Sequence, residues 1–247
     1  MAVYVAVHKQ TTLPQERGYI PLQVGADIHP RLPYMGDNTG VHISDKNPHY
    51  CELTGLFWVW QNTRDSYKGL VHYRRFFTIR GKLLTEEEIA YYLTDFDIIL
   101  PRPEPLRESA WQEFCLHSGF ERDLLRTRQA VASVDALMLP AFDRVMAGRR
   151  LHLYNMLIAP AAEFDAYCRW LFAVLTQVEA GTDLTGYTAY QQRLYGFLGE
   201  RLLNVWVAHR GLKICALPVK NTEQTKAQEV RLWMRRQRNR FYPSLRG

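Results

Sequence analysis

Cysteine is scarce in this sequence, and its four copies lie far apart. Cys51, Cys115, Cys168 and Cys215 form no CxxC motif and no Cys/His pair at the spacing of metal ligands. Isolated thiols of this kind argue against a disulfide framework and against a zinc site. We therefore expect all four to be reduced and structural.

Long apolar runs are missing as well. No run of about 18 apolar residues occurs, so the sequence predicts no membrane-spanning helix. Residues 1–7 have neither the basic start nor the small-residue cleavage site of a signal peptide. Together these absences predict a cytoplasmic protein.

The common catalytic motifs are also absent. The sequence contains no P-loop pattern, no GxGxxG, no GxSxG elbow and no HExxH. This argues against the commonest nucleotide-binding and hydrolase classes. There is no internal repeat and no low-complexity tract, so an ordinary globular domain is expected.

Apolar residues and positive charge are plentiful. Of the 247 residues, 47% are hydrophobic, which is enough for one well-buried core. The formal net charge is +6. This excess of positive charge favours an anionic partner: nucleic acid, anionic lipid or a phosphorylated small molecule.

Short apolar runs alternate with helical patterns along the chain. The runs predict strands at residues 3–7, 19–24, 69–72, 96–100, 151–158 and 214–219. Helices are predicted between them, and the first, capped by Ser44 or Asp45, is expected to reach Asn62. The alternation predicts an α/β sandwich with a mainly parallel sheet. We assign residues 1–222 to one domain and residues 223–247 to a basic C-terminal helix.

The segment 69–77 combines a buried strand with a basic cluster. His72, Tyr73, Arg74 and Arg75 follow the strand, at the end where α/β proteins hold ligands. The guanidinium group matches phosphate oxygens, so the cluster predicts an anion site; a solvated basic turn is the alternative. Side chains alternate along a strand, so if strand geometry persists here, His72 and Arg74 share one face and Tyr73 and Arg75 share the other. At most one pair then faces the ligand, unless the chain turns at this point.

The end of the first strand is a second candidate site. His8 and Lys9 follow it, and the turn with Asp37, Asn38 and Thr39 follows the second strand. A nucleotide lying across both strand ends would contact these residues. The alternative is an ordinary surface turn.

Acidic residues supply the remaining candidates. Glu200 follows a glycine-containing segment that we expect to be a turn at a helix start, where a carboxylate can act as general base; a helix-end glutamate favoured by the dipole is the alternative. Asp95 and Asp97 form a D-x-D pair, but at the start of a strand, which is the wrong end for a ligand. His117 and Asp123 are candidates for contact with an acceptor, although a helix-surface histidine is the plainer interpretation.

The C-terminal helix is basic and partly amphipathic. Residues 231–241 carry five arginines together with Trp233, Met234 and Phe241. Such a helix can lie on an anionic membrane surface, and we expect this contact. A solvated face and nucleic-acid binding are the alternatives.

Several motifs, in the same order along the chain, resemble those of one known family. They are YIPLQVGA (19–26), DNTG (37–40), SDKNPHYCELT (44–54), GLVHYRRF (69–76), NM (155–156) and GFLGERLLNVW (196–206). The sequence is similar to the small capsular-polysaccharide and O-antigen glycosyltransferases long filed as a domain of unknown function, which include bacterial β-galactofuranosyltransferases. The resemblance covers residues 3 to about 220.

The resemblance implies a Rossmann-like, A-type glycosyltransferase fold with helices on both faces of the sheet, a UDP-sugar donor and inversion at the anomeric carbon. It also implies that residues 72–75 occupy the place where most such enzymes carry a metal-binding D-x-D. No acid stands there. Because arginines and a histidine can offset the charge on leaving UDP, we expect no metal and no cofactor.

The reaction so implied moves a sugar, galactofuranose or a related hexose, from its UDP donor to a saccharide acceptor. The acceptor is expected to be an oligosaccharide or a lipid-linked glycan at the inner face of the plasma membrane, and nucleic acid is not expected. The expected roles are general base for Glu200, diphosphate binding for His72, Tyr73, Arg74 and Arg75, nucleotide binding for His8, Lys9, Asp37, Asn38 and Thr39, and acceptor or donor-sugar contact for Asn155, Met156, His117 and Asp123.

Two other classes remain open at this point. One is a non-catalytic basic module that binds RNA or anionic lipid, which the basic C-terminal helix favours. The other is a nucleotidyltransferase, which requires metal-binding carboxylates at the central strand end. Those carboxylates are missing from residues 69–77.

Overall fold

The structure is a computed structural model and describes residues 2–241. The strands are β1 (Ala2–Val7), β2 (Tyr19–Gln23), β3 (Met35–Gly36), β4 (Tyr67–His72), β5 (Arg75–Ile79), β6 (Lys82–Leu83), β7 (Ile98–Pro101), β8 (Glu104–Pro105), β9 (Arg150–Leu151), β10 (Leu157–Pro160), β11 (Ile214–Leu217) and β12 (Val219–Asn221). The α-helices are α1 (Asn47–Tyr50), α2 (Leu53–Asn62), α3 (Glu86–Asp95), α4 (Ala110–His117), α5 (Glu121–Val134), α6 (Leu139–Ala147), α7 (Ala161–Ala180), α8 (Leu194–Arg210) and α9 (Lys226–Phe241).

The central sheet has the strand order β11-β7-β10-β4-β1-β2-β3. Strand β1 is parallel to β2 and β4, β2 is parallel to β3, and β7 is parallel to β11. Strand β10 runs antiparallel between β4 and β7. The carboxyl ends of β1, β4, β7 and β11 therefore meet at one edge of the sheet. The predicted α/β class with a mainly parallel sheet is confirmed.

Side chains of β1 alternate between two apolar cores, one on each face of the sheet. Val3 and Val5 belong to one core, which also contains Ile89 of α3. Tyr4 belongs to the other core, together with Leu171 of α7. Because successive side chains of a strand point to opposite faces, one apolar run supplies both cores.

The helix predicted to run from Ser44 or Asp45 to Asn62 is interrupted. Cys51 has a φ of 52°, which ends α1 and lets α2 begin at Leu53. Ser44 does not cap the helix, because its hydroxyl donates a hydrogen bond to the Asp37 carboxylate. The break places Glu52 at the N-terminal end of α2, where its side chain lines a cavity.

The strand predicted at residues 151–158 is also interrupted. Tyr154 and Asn155 have φ values of 78° and 49°, so residues 152–156 form an irregular turn before β10. The predicted turn before Glu200 is absent as well, because Glu200 lies inside α8. The two departures are linked, because the Tyr154 backbone N–H donates to the Glu200 carboxylate at 2.8 Å.

The C-terminal helix α9 lies against the rest of the chain. Its Arg236 is paired with Glu104 of β8, and the Asn239 amide donates to the Pro105 carbonyl oxygen at 3.0 Å. Residues 242–247 of the predicted segment 223–247 lie outside the described residues. Over residues 2–241, every helix is too short or too polar to cross a bilayer.

Candidate active site

A cavity of about 630 Å³ opens at the carboxyl edge of the sheet, over the ends of β1 and β4. We call it the central cavity. Its lining includes His8 after β1, the turn between β4 and β5, Glu52 directly before α2, and Glu200 of α8. Strand ends thus supply cations and helices supply carboxylates to one cavity.

The basic cluster lies on a hairpin turn. Strand β4 ends at His72 and β5 starts at Arg75, and these two residues pair across the turn. Because the chain reverses at Tyr73 and Arg74, all four side chains line the central cavity. Strand geometry thus ends at His72, and the turn removes the restriction to one pair of side chains.

His72 is held by backbone and by a carboxylate. Its Nε2 donates to the Tyr154 carbonyl oxygen at 2.6 Å and lies 4.0 Å from Glu52 Oε1. Burial lowers the pKa of His72 below its ordinary 6.5, against the opposing effect of the Glu52 carboxylate. The lowered pKa disfavours the charged form of His72, so the fixed cations of the hairpin are Arg74 and Arg75.

Glu200 is fixed by contacts to both carboxylate oxygens. Its Oε1 accepts a hydrogen bond from the Tyr154 backbone N–H at 2.8 Å, and its Oε2 lies 3.3 Å from Arg201 Nη1. The side chain is 19% exposed. Burial raises the pKa of Glu200, although Arg201 opposes the shift. A buried carboxylate with a raised pKa is a stronger base, as acceptance of a hydroxyl proton requires.

Gly196 and Gly199 allow α8 to pack closely and so bring Glu200 to this position. The two glycines lie about one helical turn apart in α8, on the side that faces α1 and α2. A Cβ at Gly199 would lie 2.8 Å from Leu53 Cδ1 and 3.0 Å from Asn155 Oδ1, and one at Gly196 would lie 3.2 Å from Cys51 Sγ. The sequence marked these glycines as a turn, whereas they provide close helix packing.

Several residues of the site were not anticipated from the sequence. Glu52 Oε1 accepts from Asn155 Nδ2 at 2.7 Å, and Arg201 pairs with Glu113 as well as with Glu200. Glu52 belongs to the SDKNPHYCELT motif, and Arg201 belongs to the GFLGERLLNVW motif, where it follows Glu200. Membership in these motifs was the one sequence signal that could have marked both as site residues. Within residues 2–241, no group of three His, Cys, Asp or Glu side chains is placed to hold a metal ion.

At the end of β1, His8 reaches the central cavity and Lys9 is bridged to the hairpin turn. The His8 ring lies edge-on to Tyr73, with centroids 5.0 Å apart. Glu223 accepts from Lys9 Nζ at 2.8 Å and from Arg74 Nη1 at 3.2 Å. This carboxylate offsets the charge of two cations at the rim.

The turn after β3 is bonded to the segment that follows β2 and to α2. Asp37 is fully buried and accepts from the backbone N–H groups of Gly25 and Ala26, each at 3.1 Å. The Thr39 carbonyl oxygen accepts from Trp58 Nε1 at 2.8 Å. Asp37, Asn38 and Thr39 lie outside the lining of the central cavity, so the structure does not place them in contact with a nucleotide.

The predicted acceptor residues are scattered. Asn155 is buried outside the cavity lining, and its Nδ2 donates to Glu52 Oε1 and to the Gly196 carbonyl oxygen. Met156 is part of the core, and His117 is exposed at the end of α4. Asp123 is fully buried and accepts from the Phe120 N–H and the Tyr187 hydroxyl. Met156 serves packing and Asp123 caps α5, and both lie outside the lining of the central cavity, as His117 does.

Asp97 has a structural role, as the sequence favoured. Its Oδ2 accepts from the Lys213 backbone N–H at 2.7 Å. This contact joins the start of β7 to the turn before β11, away from the carboxyl edge of the sheet.

Comparison with known proteins gives one family and one related structure. A family described as a domain of unknown function, DUF4422, matches residues 2–211. The structure is similar to the apo form of WbbM, a bifunctional glycosyltransferase, with a TM-score of 0.84 and 25% identity. The match covers 90% of this chain and 45% of the WbbM chain, so this chain spans less than half the length of WbbM. No curated protein matches the sequence. The similarity confirms the Rossmann-like α/β fold expected from the resemblance.

Proposed function

The chain belongs to the DUF4422 family, and from this membership and the geometry of the central cavity we propose that it is a glycosyltransferase. The observation that carries the proposal is that Glu200 lines the same cavity as Arg74 and Arg75. A base for the acceptor and cations for the leaving group are both needed in a sugar transfer. Similarity to WbbM, which is a glycosyltransferase, supports the proposal.

The proposed step is a direct displacement. The acceptor hydroxyl oxygen attacks the anomeric carbon, while the bond from that carbon to the diphosphate oxygen breaks. UDP leaves with the electron pair of that bond, and Glu200 takes the hydroxyl proton. Arg74 and Arg75 offset the charge that develops on the diphosphate. A single displacement inverts the anomeric carbon.

We propose UDP-galactofuranose or a related UDP-hexose as the donor and a saccharide of bacterial surface polysaccharide as the acceptor. The similarity of the motifs to a family that includes β-galactofuranosyltransferases supports this choice. His8 and Tyr73 at the end of β1 and in the hairpin turn would contact the nucleotide. A screen of UDP-sugars, read out as UDP release, tests the donor.

The variant Glu200→Gln tests the assignment of the base. Turnover should fall by roughly 10²- to 10⁴-fold, because the amide cannot accept the hydroxyl proton. UDP affinity, measured by calorimetry, should stay near that of the unmodified protein. The control Glu87→Gln removes an exposed carboxylate of α3 and should leave both quantities unchanged.

The pH profile gives a second readout of the same prediction. A base acts when it is deprotonated, so kcat/KM should rise with pH through the pKa of Glu200 and be lost below it. Since burial raises this pKa, the rise should occur above the ordinary value of 4.5. If Glu200→Gln keeps its turnover and kcat/KM still falls at low pH as in the unmodified protein, Glu200 is not the base. Glu52, which also lines the cavity, would then be the next candidate.

We also propose that the transfer needs no metal ion. Arginines stand in the hairpin turn where related folds carry an acid, and their fixed charge can replace a divalent cation at the diphosphate. UDP release should therefore be the same with and without EDTA. Activity that disappears with EDTA and returns with Mn²⁺ would contradict the proposal.

Contact of α9 with an anionic membrane is the remaining element of the proposal. Val230, Trp233, Met234 and Phe241 are exposed on this helix, next to exposed arginines. Apolar side chains flanked by cations suit the headgroup region of a bilayer. Such contact would bring the central cavity to lipid-linked acceptors.

A further inference from the structure

A second cavity, of about 770 Å³, lies beside the central cavity. We call it the arginine cavity, because among the described residues that line it seven are arginines and one, Glu104, is an acid. Arg102 follows β7, Arg149 precedes β9, and Arg150 begins β9. Arg75 comes from β5, and α9 supplies Arg235, Arg236 and Arg240. Segments far apart in the chain thus concentrate positive charge in one place.

Over residues 2–241, Arg236 is the one arginine of this cavity that forms an ion pair. Glu104 is occupied by Arg236, whose Nε donates to Oε2 at 2.7 Å. Within residues 2–241, no carboxylate lies within 4.0 Å of a guanidinium nitrogen of Arg102, Arg149, Arg150 or Arg235. The guanidinium groups repel one another, and a bound anion would offset this repulsion, so the cavity favours anion binding.

The number and geometry of the arginines favour a group with more than one phosphate. Each guanidinium presents a planar fork of donors that matches two phosphate oxygens. A single carboxylate would satisfy one such fork and leave the others unpaired. A diphosphate offers enough oxygens for arginines that approach from β7, β9 and α9.

The position of the cavity indicates which molecule carries the diphosphate. Arg75 and Tyr154 line both cavities and form the wall between them. On its other side the arginine cavity is closed by α9, which contributes Leu232, Arg235 and Arg236 to the lining. Trp233 and Met234 of the same helix lie outside the lining and are 59% and 51% exposed. A ligand held here therefore has the central cavity at one end and α9, with its exposed apolar residues, at the other.

We propose that the arginine cavity binds a diphosphate group of the acceptor, between its saccharide and a lipid tail. This inference rests on the proposed function, in which the central cavity holds the UDP-sugar. The saccharide then extends past Arg75 and Tyr154 toward Glu200, while the lipid lies along α9.

Binding of inorganic pyrophosphate tests the site directly. Calorimetry is done on the full chain with saturating UDP, so that the central cavity is filled. The double variant Arg102→Gln/Arg150→Gln should weaken pyrophosphate binding by at least about tenfold, because charged hydrogen bonds are lost. The control Arg80→Gln/Arg169→Gln removes equal charge from exposed positions outside both cavities and should bind as the unmodified protein does.

Farnesyl diphosphate separates a lipid headgroup from a free anion. It should bind at least as tightly as pyrophosphate and should lose affinity in Arg102→Gln/Arg150→Gln, while UDP affinity stays constant. Equal pyrophosphate binding in both double variants would overturn the proposal, as would failure of farnesyl diphosphate to bind. Weaker UDP binding in Arg102→Gln/Arg150→Gln would also overturn the proposal, because the arginine cavity would then bind the donor and not the acceptor.

Failure of the proposed function has a different signature. In that case the unmodified protein binds no UDP, whichever residues of the arginine cavity are changed. Pyrophosphate titrations without UDP then still report whether Arg102 and Arg150 bind phosphate.

Discussion

Glu200 and Arg201 are neighbours in sequence and form an ion pair, but they are not a surface pair. Arg201 is only 3% exposed, and its two terminal nitrogens reach Glu113 and Glu200. The positive charge between two carboxylates opposes the effect of burial on the pKa of Glu200. The Tyr154 N–H fixes the direction of the carboxylate. Reactivity at this residue is therefore set by contacts from α4 and from the turn before β10.

Glu223 offers a test at the residue scale. It contacts both Lys9 and Arg74 at the rim of the central cavity, and it would compete with a donor phosphate for them. We expect Glu223→Gln to tighten UDP binding by roughly two- to fivefold, as is typical for an exposed ion pair. The gain should shrink at high salt, because these groups are solvent-exposed.

The matched control for this change is Glu229→Gln. It removes the same charge from the first turn of α9. Calorimetric titration with UDP should find no gain in this variant. If Glu223→Gln binds UDP no better than Glu229→Gln does, Glu223 does not restrain the two cations.

Two elements create the central cavity by departing from regular geometry. The β4–β5 hairpin reverses the chain at Tyr73 and Arg74, and the turn before β10 has positive φ at Tyr154 and Asn155. The second turn directs a backbone N–H to Glu200 and a carbonyl oxygen to His72. A straight strand through either segment would separate these groups.

The variant Gly199→Ala tests the close packing of α8. Its Cβ would lie 2.8 Å from the buried Leu53 and 3.0 Å from Asn155, so side chains must shift. We expect a loss of about 1–3 kcal/mol in the free energy of unfolding, which exceeds the gain of about 1 kcal/mol in helix propensity. Denaturant titration measures the change.

Gly196→Ala is the graded control for that experiment. Its Cβ would approach Cys51 Sγ at 3.2 Å, so its cost should be smaller. UDP release should fall more in Gly199→Ala, because Asn155 and the neighbouring Tyr154 would move relative to Glu200. A Gly199→Ala protein that is more stable and equally active would indicate that helix propensity alone matters here.

At the scale of the whole molecule, two cavities share one edge of the sheet and α9 closes the second. Ends of β1 and β4 border the central cavity, and ends of β7 and β11 border the arginine cavity. Arg236 and Asn239 hold α9 on β8, so the basic helix contributes to a cavity wall. The proposed donor, acceptor diphosphate and membrane sites then follow one another along the same edge.

Vesicle binding tests the proposed role of the outer face of α9. The unmodified protein should sediment with vesicles of phosphatidylcholine and phosphatidylglycerol, and less with phosphatidylcholine alone, because cations near an anionic surface add to apolar insertion. The double variant Trp233→Ala/Met234→Ala should lose most of this binding. The control Leu137→Ala removes a large apolar side chain that is 76% exposed elsewhere. Unchanged sedimentation of the double variant would contradict membrane contact through α9.

The sequence by itself determined the fold class, most element positions and the family. Apolar runs such as β1 and the helical stripe of α7 are local patterns, and their periods are set by backbone geometry. It also marked residues 72–75 as a basic cluster at a strand end and Glu200 as a carboxylate near a helix start, and the motifs of the family gave both their roles. These inferences require no knowledge of which distant segments meet.

Only the tertiary structure decided which candidates share a site. Glu52 and Asn155 are 103 residues apart in the chain, and no local pattern predicts their contact. The sequence left open whether the chain turns after His72, and the hairpin decided this by placing residues 72–75 around one cavity. Asp37 and Asp123 were predicted to line the site but do not, because their carboxylates accept hydrogen bonds from buried N–H and hydroxyl groups elsewhere. The physical reason is common to these cases: hydrogen-bond satisfaction and close packing are settled between segments, whereas the sequence displays only the preferences within each segment.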